Sequence, residues 1–192
     1  LRALSTLKEV AFVAAEDTIN LMRTTGDYLR RHGRPVAYYV DKHSIYKINR
    51  DATVEEELRD ADPISQFTRA MTELGITVIC ANSPQAKGRV ERGFKTHQDR
   101  LVKELRLAGI STMEAGNVFV DEVYLPDHNR RYCVPAANRT DAHRPLLPAH
   151  RLDEILSRRA ERTLLNDFTL RFQNLFFQVL PGQSVRVRPK AK

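Results

Sequence analysis

Ser83-Pro84-Gln85-Ala86-Lys87-Gly88-Arg89-Val90-Glu91-Arg92-Gly93-Phe94 is the stretch that decides how this chain is read. It opens as a loop and continues as a long basic helix with one carboxylate, Glu91, near its start. Upstream, the apolar run Val36-Ala37-Tyr38-Tyr39-Val40 ends directly in a second carboxylate, Asp41. An acid at a strand end and an acid on a basic helix together suit metal-dependent phosphodiester chemistry. Hard divalent cations take oxygen ligands from Asp and Glu held close in space.

Working outward, Ile76-Thr77-Val78-Ile79-Cys80-Ala81 predicts a strand that feeds this helix. The helix spans about Ala86 to Leu107, with Val90, Phe94, Leu101 and Leu105 on its expected buried side. From Lys87 to Arg106 it carries seven bases and three acids. Lys87, Glu91, Lys95 and Gln98 recur along one stripe of it. Before that strand, Pro63 introduces a helix whose face carries Ile64, Phe67, Met71 and Leu74, closed by Gly75. Earlier still, Leu4–Val13 reads as a buried strand. Glu16 and Asp17 then open a helix with Ile19, Met22 and Leu29 on one face. His32-Gly33-Arg34-Pro35 stops that helix, because glycine suits the residue past a helix end and proline cannot continue it. Strand, helix, strand in this order predicts an α/β domain with a βαβ crossover.

Beyond the basic helix, residues 112–131 read as a helix with Val118, Val120, Val123, Tyr124 and Leu125 as its apolar content. Pro126 predicts a break or kink within it. A Pro-rich connector follows, with a short helical piece at Leu152–Leu156. From Arg162 the hydrophobic period becomes two. Phe168–Phe172 and Leu175–Val179 flank Gln173-Asn174 as a hairpin, and Ser184–Arg188 alternates as a third strand. Three strands make a poor independent sheet.

The 192 residues suit one medium domain with a small appendage. A net charge of +7 favours an anionic partner, of which nucleic acid is the commonest. Residues 51–62 run against that trend, with six acids and one base, and read as a solvated loop or short exposed helix. Two cysteines, Cys80 and Cys133, lie far apart, which fits a reducing compartment and argues against a disulfide framework or a zinc site. No apolar run reaches the roughly 20 residues of a membrane helix, so a cytoplasmic protein without a membrane partner is expected.

Each acid alone has a plain structural explanation: a strand-end Asp often forms a turn, and a helical Glu is usually solvated. Bases flanking a metal-site acid would instead grip a phosphate backbone. His43 is a weaker candidate as ligand or phosphate contact. Asp141 and His143 resemble a catalytic pair, but their Pro-rich setting favours a structured turn. Six scattered histidines show no metal-ligand spacing with the cysteines.

Several segments together resemble the insertion-sequence transposases of the DDE class, specifically the ISNCY type with an integrase catalytic core. The resemblance rests on His32-Gly33-Arg34-Pro35-Val36, Asp41-Lys42-His43-Ser44-Ile45, Ser83–Arg92, Gln98–Arg106 and Gly109-Ile110-Ser111. Tyr132-Cys133-Val134-Pro135-Ala136 and Asp141–Leu146 resemble that family's end-of-core segment, so most of residues 1–180 is covered.

The fold implied is ribonuclease-H-like: a mixed sheet, its first three strands antiparallel, with helices on both sides. The activity implied is DNA integration by strand cleavage and strand transfer, with Mg2+ or Mn2+ as cofactor. By the resemblance, Asp41 matches the second catalytic Asp and Glu91 the catalytic Glu, both metal ligands, with 49 residues between them. Lys87, Arg89, Arg92, Lys95 and Gln98 are the implied DNA contacts.

The family's first Asp lies on the first strand of the core. Here the first strand read is the third, near Leu4–Val13, so that Asp and an N-terminal helix-turn-helix are expected to be missing. Asp17 and Asp27 come too late, on the first helix. The expected organisation is a partial catalytic core over 1–131 with an acidic insertion at about 42–62. A connector follows over 132–160, then a partial basic β-barrel or hairpin module over 161–192. The expected function is that of a truncated transposase, inactive alone, that binds DNA and self-associates or joins full-length transposase. A non-catalytic DNA-binding or transposase-interacting protein is the alternative.

Overall fold

The computed structural model describes residues 6–40, 46, 64–80, 84–133, 140–182 and 187–190, without the side chains of 84–93 and 96. The chain divides into two compact units, Leu1–Ser157 and Arg158–Lys192.

The first unit opens with an extended segment, 6–13, where the sequence predicts a strand. No strand forms there among the described residues. A β-run needs a ladder partner, and here two asparagine side chains from later helices take that place. The backbone N–H of Leu7 donates to Asn129 Oδ1 at 2.9 Å, and Asn129 Nδ2 donates to Leu7 O at 2.8 Å. Asn117 does the same for Phe12, at 2.7 and 3.1 Å. The segment's donors and acceptors are thereby partly satisfied without a neighbouring strand.

Helix α1 (Thr18–His32) begins where Asp17 accepts a hydrogen bond from the Asn20 backbone N–H at 2.7 Å. Its last turn carries Arg30, Arg31 and His32, which oppose the negative end of the helix dipole. Gly33, at a φ of 81°, ends it by donating to Leu29 O. Met22 and Leu29 are buried as expected. Ile19, assigned to the same face, is 64% exposed because it sits in the first turn, beyond the packed surface.

Strand β1 (Ala37–Val40) pairs in parallel with β2 (Thr77–Cys80), from Ala37↔Thr77 to Val40↔Cys80. Between them lies α2 (Gln66–Glu73), whose N-cap is Ser65 and not the neighbourhood of Pro63. Phe67, Met71 and Leu74 are buried, whereas Ile64 precedes the cap and is 52% exposed. The strand–helix–strand crossover therefore occurs one step later in the chain than the sequence suggests. Its core unites Met22, Leu29, Phe67, Ala70, Met71, Leu74, Ile76 and Leu152.

Helix α3 (Pro84–Leu107) starts four residues past Cys80, the end of β2. After it come α4 (Met113–Phe119), a π-helical turn (Val120–Tyr124) and α5 (Leu125–Tyr132). The predicted break is this π turn, where Leu125 N–H reaches back to Val120 O and Pro126 opens the next helix. Leu101, Val120, Tyr124 and Leu125 form a second core, with Leu7, Val10 and Phe12 packed against it. Val118 and Val123 lie outside that core, 55% and 49% exposed. Gly116 allows a close approach, since a Cβ there would meet the Phe12 ring at 3.2 Å and the ring would have to shift slightly.

The connector returns to the first core. Arg34 and Arg144 exchange backbone hydrogen bonds, both 2.8 Å. Arg34 Nη1 donates to Leu74 O and Arg144 Nη2 to Gly75 O, each at 2.6 Å. The last turn of α2 has no basic residue of its own. Two arginines from distant positions thus serve its carbonyl end. A single turn, α6 (Leu152–Ile155), adds Leu152 to the core.

The second unit contains β3 (Thr169–Phe172) paired antiparallel with β4 (Leu175–Gln178). The hairpin turn is the expected one, with Gln173 and Asn174 at φ of 50° and 63°. Of the predicted third strand only 187–188 are described, and these are not in a strand. No closed barrel is present among the described residues. The architecture is mixed α/β, with two small sheets and flanking helices.

Candidate functional site

The parallel pair β1/β2 ends flush, with Val40 opposite Cys80. Both chain exits therefore leave from one sheet edge, the carboxyl end, where α/β sheets commonly bind ligands. Asp41 follows Val40 directly in sequence but lies outside the described residues, as do His43 and the acidic 51–62 run. Glu91 belongs to α3, seven residues past Pro84, or about 10 Å along the helix axis. Its side chain, like those of Lys87, Arg89 and Arg92, lies outside the described set. Among the described residues no group of three or more His, Cys, Asp and Glu is arranged to hold a metal.

The two faces of α3 are distinct where its side chains are described. Leu101 is buried, with Leu105 packed against the same cluster. Lys95 and Gln98 are exposed, so the stripe that also includes position 91 is the outer one in this part of the helix. Phe94 departs from its expected burial at 62% exposure; among the described side chains of α3, those packed in the second core, Leu101 and Leu105, lie further along the helix. On the same outer surface Lys103 pairs with Asp99 at 2.7 Å.

Where α3 meets the π turn and α5, sequence reasoning missed a polar aromatic cluster. The hydroxyl of Tyr124, a residue only 2% exposed, lies 2.8 Å from His97 Nδ1. The His128 ring sits 4.6 Å from that of His97 and stacks on Tyr124 at 5.8 Å. Arg100 lies over the Tyr132 ring at 4.4 Å and donates to its hydroxyl. Burial holds the His97 imidazole below its ordinary pKa, with His128 adding to the effect. Burial and then Arg100 do the same for His128, partly offset by Asp127. The spacing of 124, 128 and 132, one side chain per helical turn, was the available sequence signal.

Asp141 and His143 form the expected structured turn, and a tyrosine joins it. Asp141 Oδ1 accepts from the His143 backbone at 3.0 Å and lies 2.5 Å from His143 Nδ1. His143 Nε2 is 2.7 Å from the Tyr28 hydroxyl. Hydrogen bonds from His143 hold the Asp141 carboxyl below the usual range, and burial pushes the Tyr28 phenol up. With a phenol this reluctant to ionise, the arrangement serves to fasten the connector to α1.

No protein-family model matches the chain. It is 39% identical over 168 residues to y4bF of Sinorhizobium fredii, which is named as a transposase. That match covers 87% of this chain and 35% of the relative. It is 32% identical over 165 residues to the transposase for insertion sequence IS1202 of Streptococcus pneumoniae, covering 85% of this chain and 34% of that protein. The chain thus spans about a third of the length of these relatives. Their shared name supports relating this chain to transposases. No helix among the described residues is long and apolar enough to cross a membrane.

Proposed function

We propose that the chain is part of the catalytic core of a DDE-class transposase of the ISNCY type, ribonuclease-H-like in fold. In this reading Asp41 and Glu91 are two of the carboxylates that hold Mg2+ or Mn2+. A metal held there would supply activation of the attacking oxygen and charge stabilisation of the leaving one at a DNA phosphodiester. Lys87, Arg89, Arg92, Lys95 and Gln98 grip the DNA backbone beside that bond, and the basic 161–192 module adds affinity. What supports the reading is the flush parallel pairing of Val40 with Cys80, with Asp41 next in sequence and α3 opening shortly after. The similarity to two named transposases supports it independently.

Asp41 and Glu91 by themselves are too few to fix a metal pair, so metal binding by these two carboxylates alone is expected to be weak. DNA binding remains, carried by α3 and falling steeply with salt because cations displaced from phosphates are released. Anisotropy of a labelled duplex, titrated at several salt concentrations, tests this. Weakening by about an order of magnitude or more between 50 and 200 mM salt is expected, with Lys95→Glu weakening binding further. Salt-independent binding, or none at 50 mM, would count against it. Binding that persists when Asp41→Ala and Glu91→Gln leave metal affinity unchanged would instead favour a non-catalytic DNA-binding protein.

A further inference from the structure

We infer that the cluster of His97, Tyr124 and His128 is a protonation-sensitive lock that fixes the rotation and register of α3, and with it the position of residue 91. That last consequence rests on the proposed role of Glu91; the lock itself does not.

Moving back along α3 toward residue 91, His97 is the last described residue whose side chain is seen held by another element. It lies six residues past Glu91, about 9 Å along the axis. Arg100, exposed on α3, also donates to Tyr132 of α5, but an apolar contact such as those of Leu101 and Leu105 tolerates small rotations. A hydrogen bond does not, because its strength falls off steeply with angle. Tyr124 supplies that bond from a fully packed position in the second core, so it cannot follow a drifting partner. The His128 ring closes the site from α5, stacked on Tyr124 and tilted against His97. One contact thereby ties the helix to the π turn, and the next ties it to α5.

The same geometry makes the lock responsive to protons. In the tautomer that carries its proton on Nε2, neutral His97 accepts the Tyr124 hydroxyl hydrogen through Nδ1; a protonated imidazole cannot. Protonating both histidines would set two cations in ring contact, with the Arg100 guanidinium close by on α3. The opposing groups are Asp127 from α5, which acts on His128, and Glu104 from α3, which acts on Tyr124. Tyr132 completes the α5 side. Leu7, Val10 and Phe12 of the extended segment bring only apolar side chains to the same core. Among the described residues buried His128 Nδ1 has no hydrogen-bond partner, so none of them is set to accept from a proton placed there. The first core holds neither His97 nor His128, so protonating this pair acts on α3 and not on that core.

Amide hydrogen exchange on the full chain, corrected for the intrinsic pH dependence, reads this directly and needs no metal. Tyr124→Phe keeps the ring and removes the hydroxyl. It is expected to raise opening of α3 amides about tenfold, the effect of one buried hydrogen bond, while α1 amides stay unchanged. Lowering the pH from 7.5 to 5.5 should open wild-type α3 in step with the His97 and His128 titrations followed by 15N NMR, and should do so less in His97→Gln. Equal protection in wild type and Tyr124→Phe overturns the lock. So does α3 protection that ignores the histidine titrations. A Glu91→Gln variant that binds Mn2+ as wild type does would instead defeat the metal reading and leave the lock standing.

Discussion

Asn129 and Leu7 are joined by two hydrogen bonds, one from the Leu7 backbone to the amide oxygen and one from the amide nitrogen to the Leu7 carbonyl. A side-chain amide thus presents the donor and acceptor that an adjacent strand would offer. Asn117 repeats the arrangement at Phe12, five residues along the same segment. Replacing Asn129 by Ala leaves a part-buried N–H and C=O without partners. The expected loss is about 2 kcal/mol, measured as a lower urea midpoint with unchanged slope. Asn129→Asp restores only the acceptor and should recover about half of that loss.

The connector is held to the first core at a glycine. Gly33 has a φ of 81°, and a Cβ there would lie 2.7 Å from the Arg144 carbonyl oxygen. Gly33→Ala therefore combines backbone strain with a clash against backbone, and should cost about 1–3 kcal/mol. Limited proteolysis should then cut near 140–150 faster than in wild type. An unchanged cleavage rate would mean that the Arg34–Arg144 bridge does not secure the connector.

Stability should depend on pH in two opposed ways. Burial holds His32, His97 and His128 below the ordinary imidazole value of 6.5. The unfolded chain therefore takes up protons first, so stability is full above pH 6.5 and falls as pH drops toward the folded values. Glu9 behaves oppositely. Burial raises its carboxyl above 4.5, only partly offset by Arg31. The penalty for holding it ionised is present above its folded pKa and is relieved as pH falls through that value. Urea titrations at pH 7.5 and 5.5 should show a lower midpoint at 5.5, and Glu9→Gln should raise the midpoint at 7.5.

The hairpin of the second unit uses left-handed backbone at both turn residues, Gln173 and Asn174. Asparagine tolerates that region and glutamine does so poorly. Changing the pair to Asn-Gly should stabilise the hairpin by about 1 kcal/mol. Cross-strand contacts between Leu170 and Phe177 in NMR spectra, followed with temperature, measure the gain.

The elements most legible in sequence were those whose boundaries are set by neighbouring residues. Asp17 and Gly33 delimit α1, and Gln173-Asn174 turns the hairpin, through local chemistry alone. The Leu4–Val13 run was misread because hydrophobic pattern cannot say whether a partner strand exists. Asparagines more than a hundred residues away fill that role. Phe94 fits the helical period yet is exposed, because period gives a face and not how far a neighbouring core extends. Asp41 and Glu91 stand out in the sequence through their settings at a strand end and on a basic helix, and their side chains lie outside the described residues. The histidine cluster was not, since His97 and His128 belong to different helices and meet only through the fold.

Paramagnetic broadening by Mn2+, followed residue by residue in 1H–15N spectra of the full chain, tests the shared metal site most directly. A single ion held between Asp41 and Glu91 should broaden Val40 and the amides around residue 91 of α3 first, and Asp41→Ala or Glu91→Gln should abolish that pattern. Broadening confined to the acidic 51–62 run, or unchanged in both variants, would contradict the assignment of these two carboxylates to one metal.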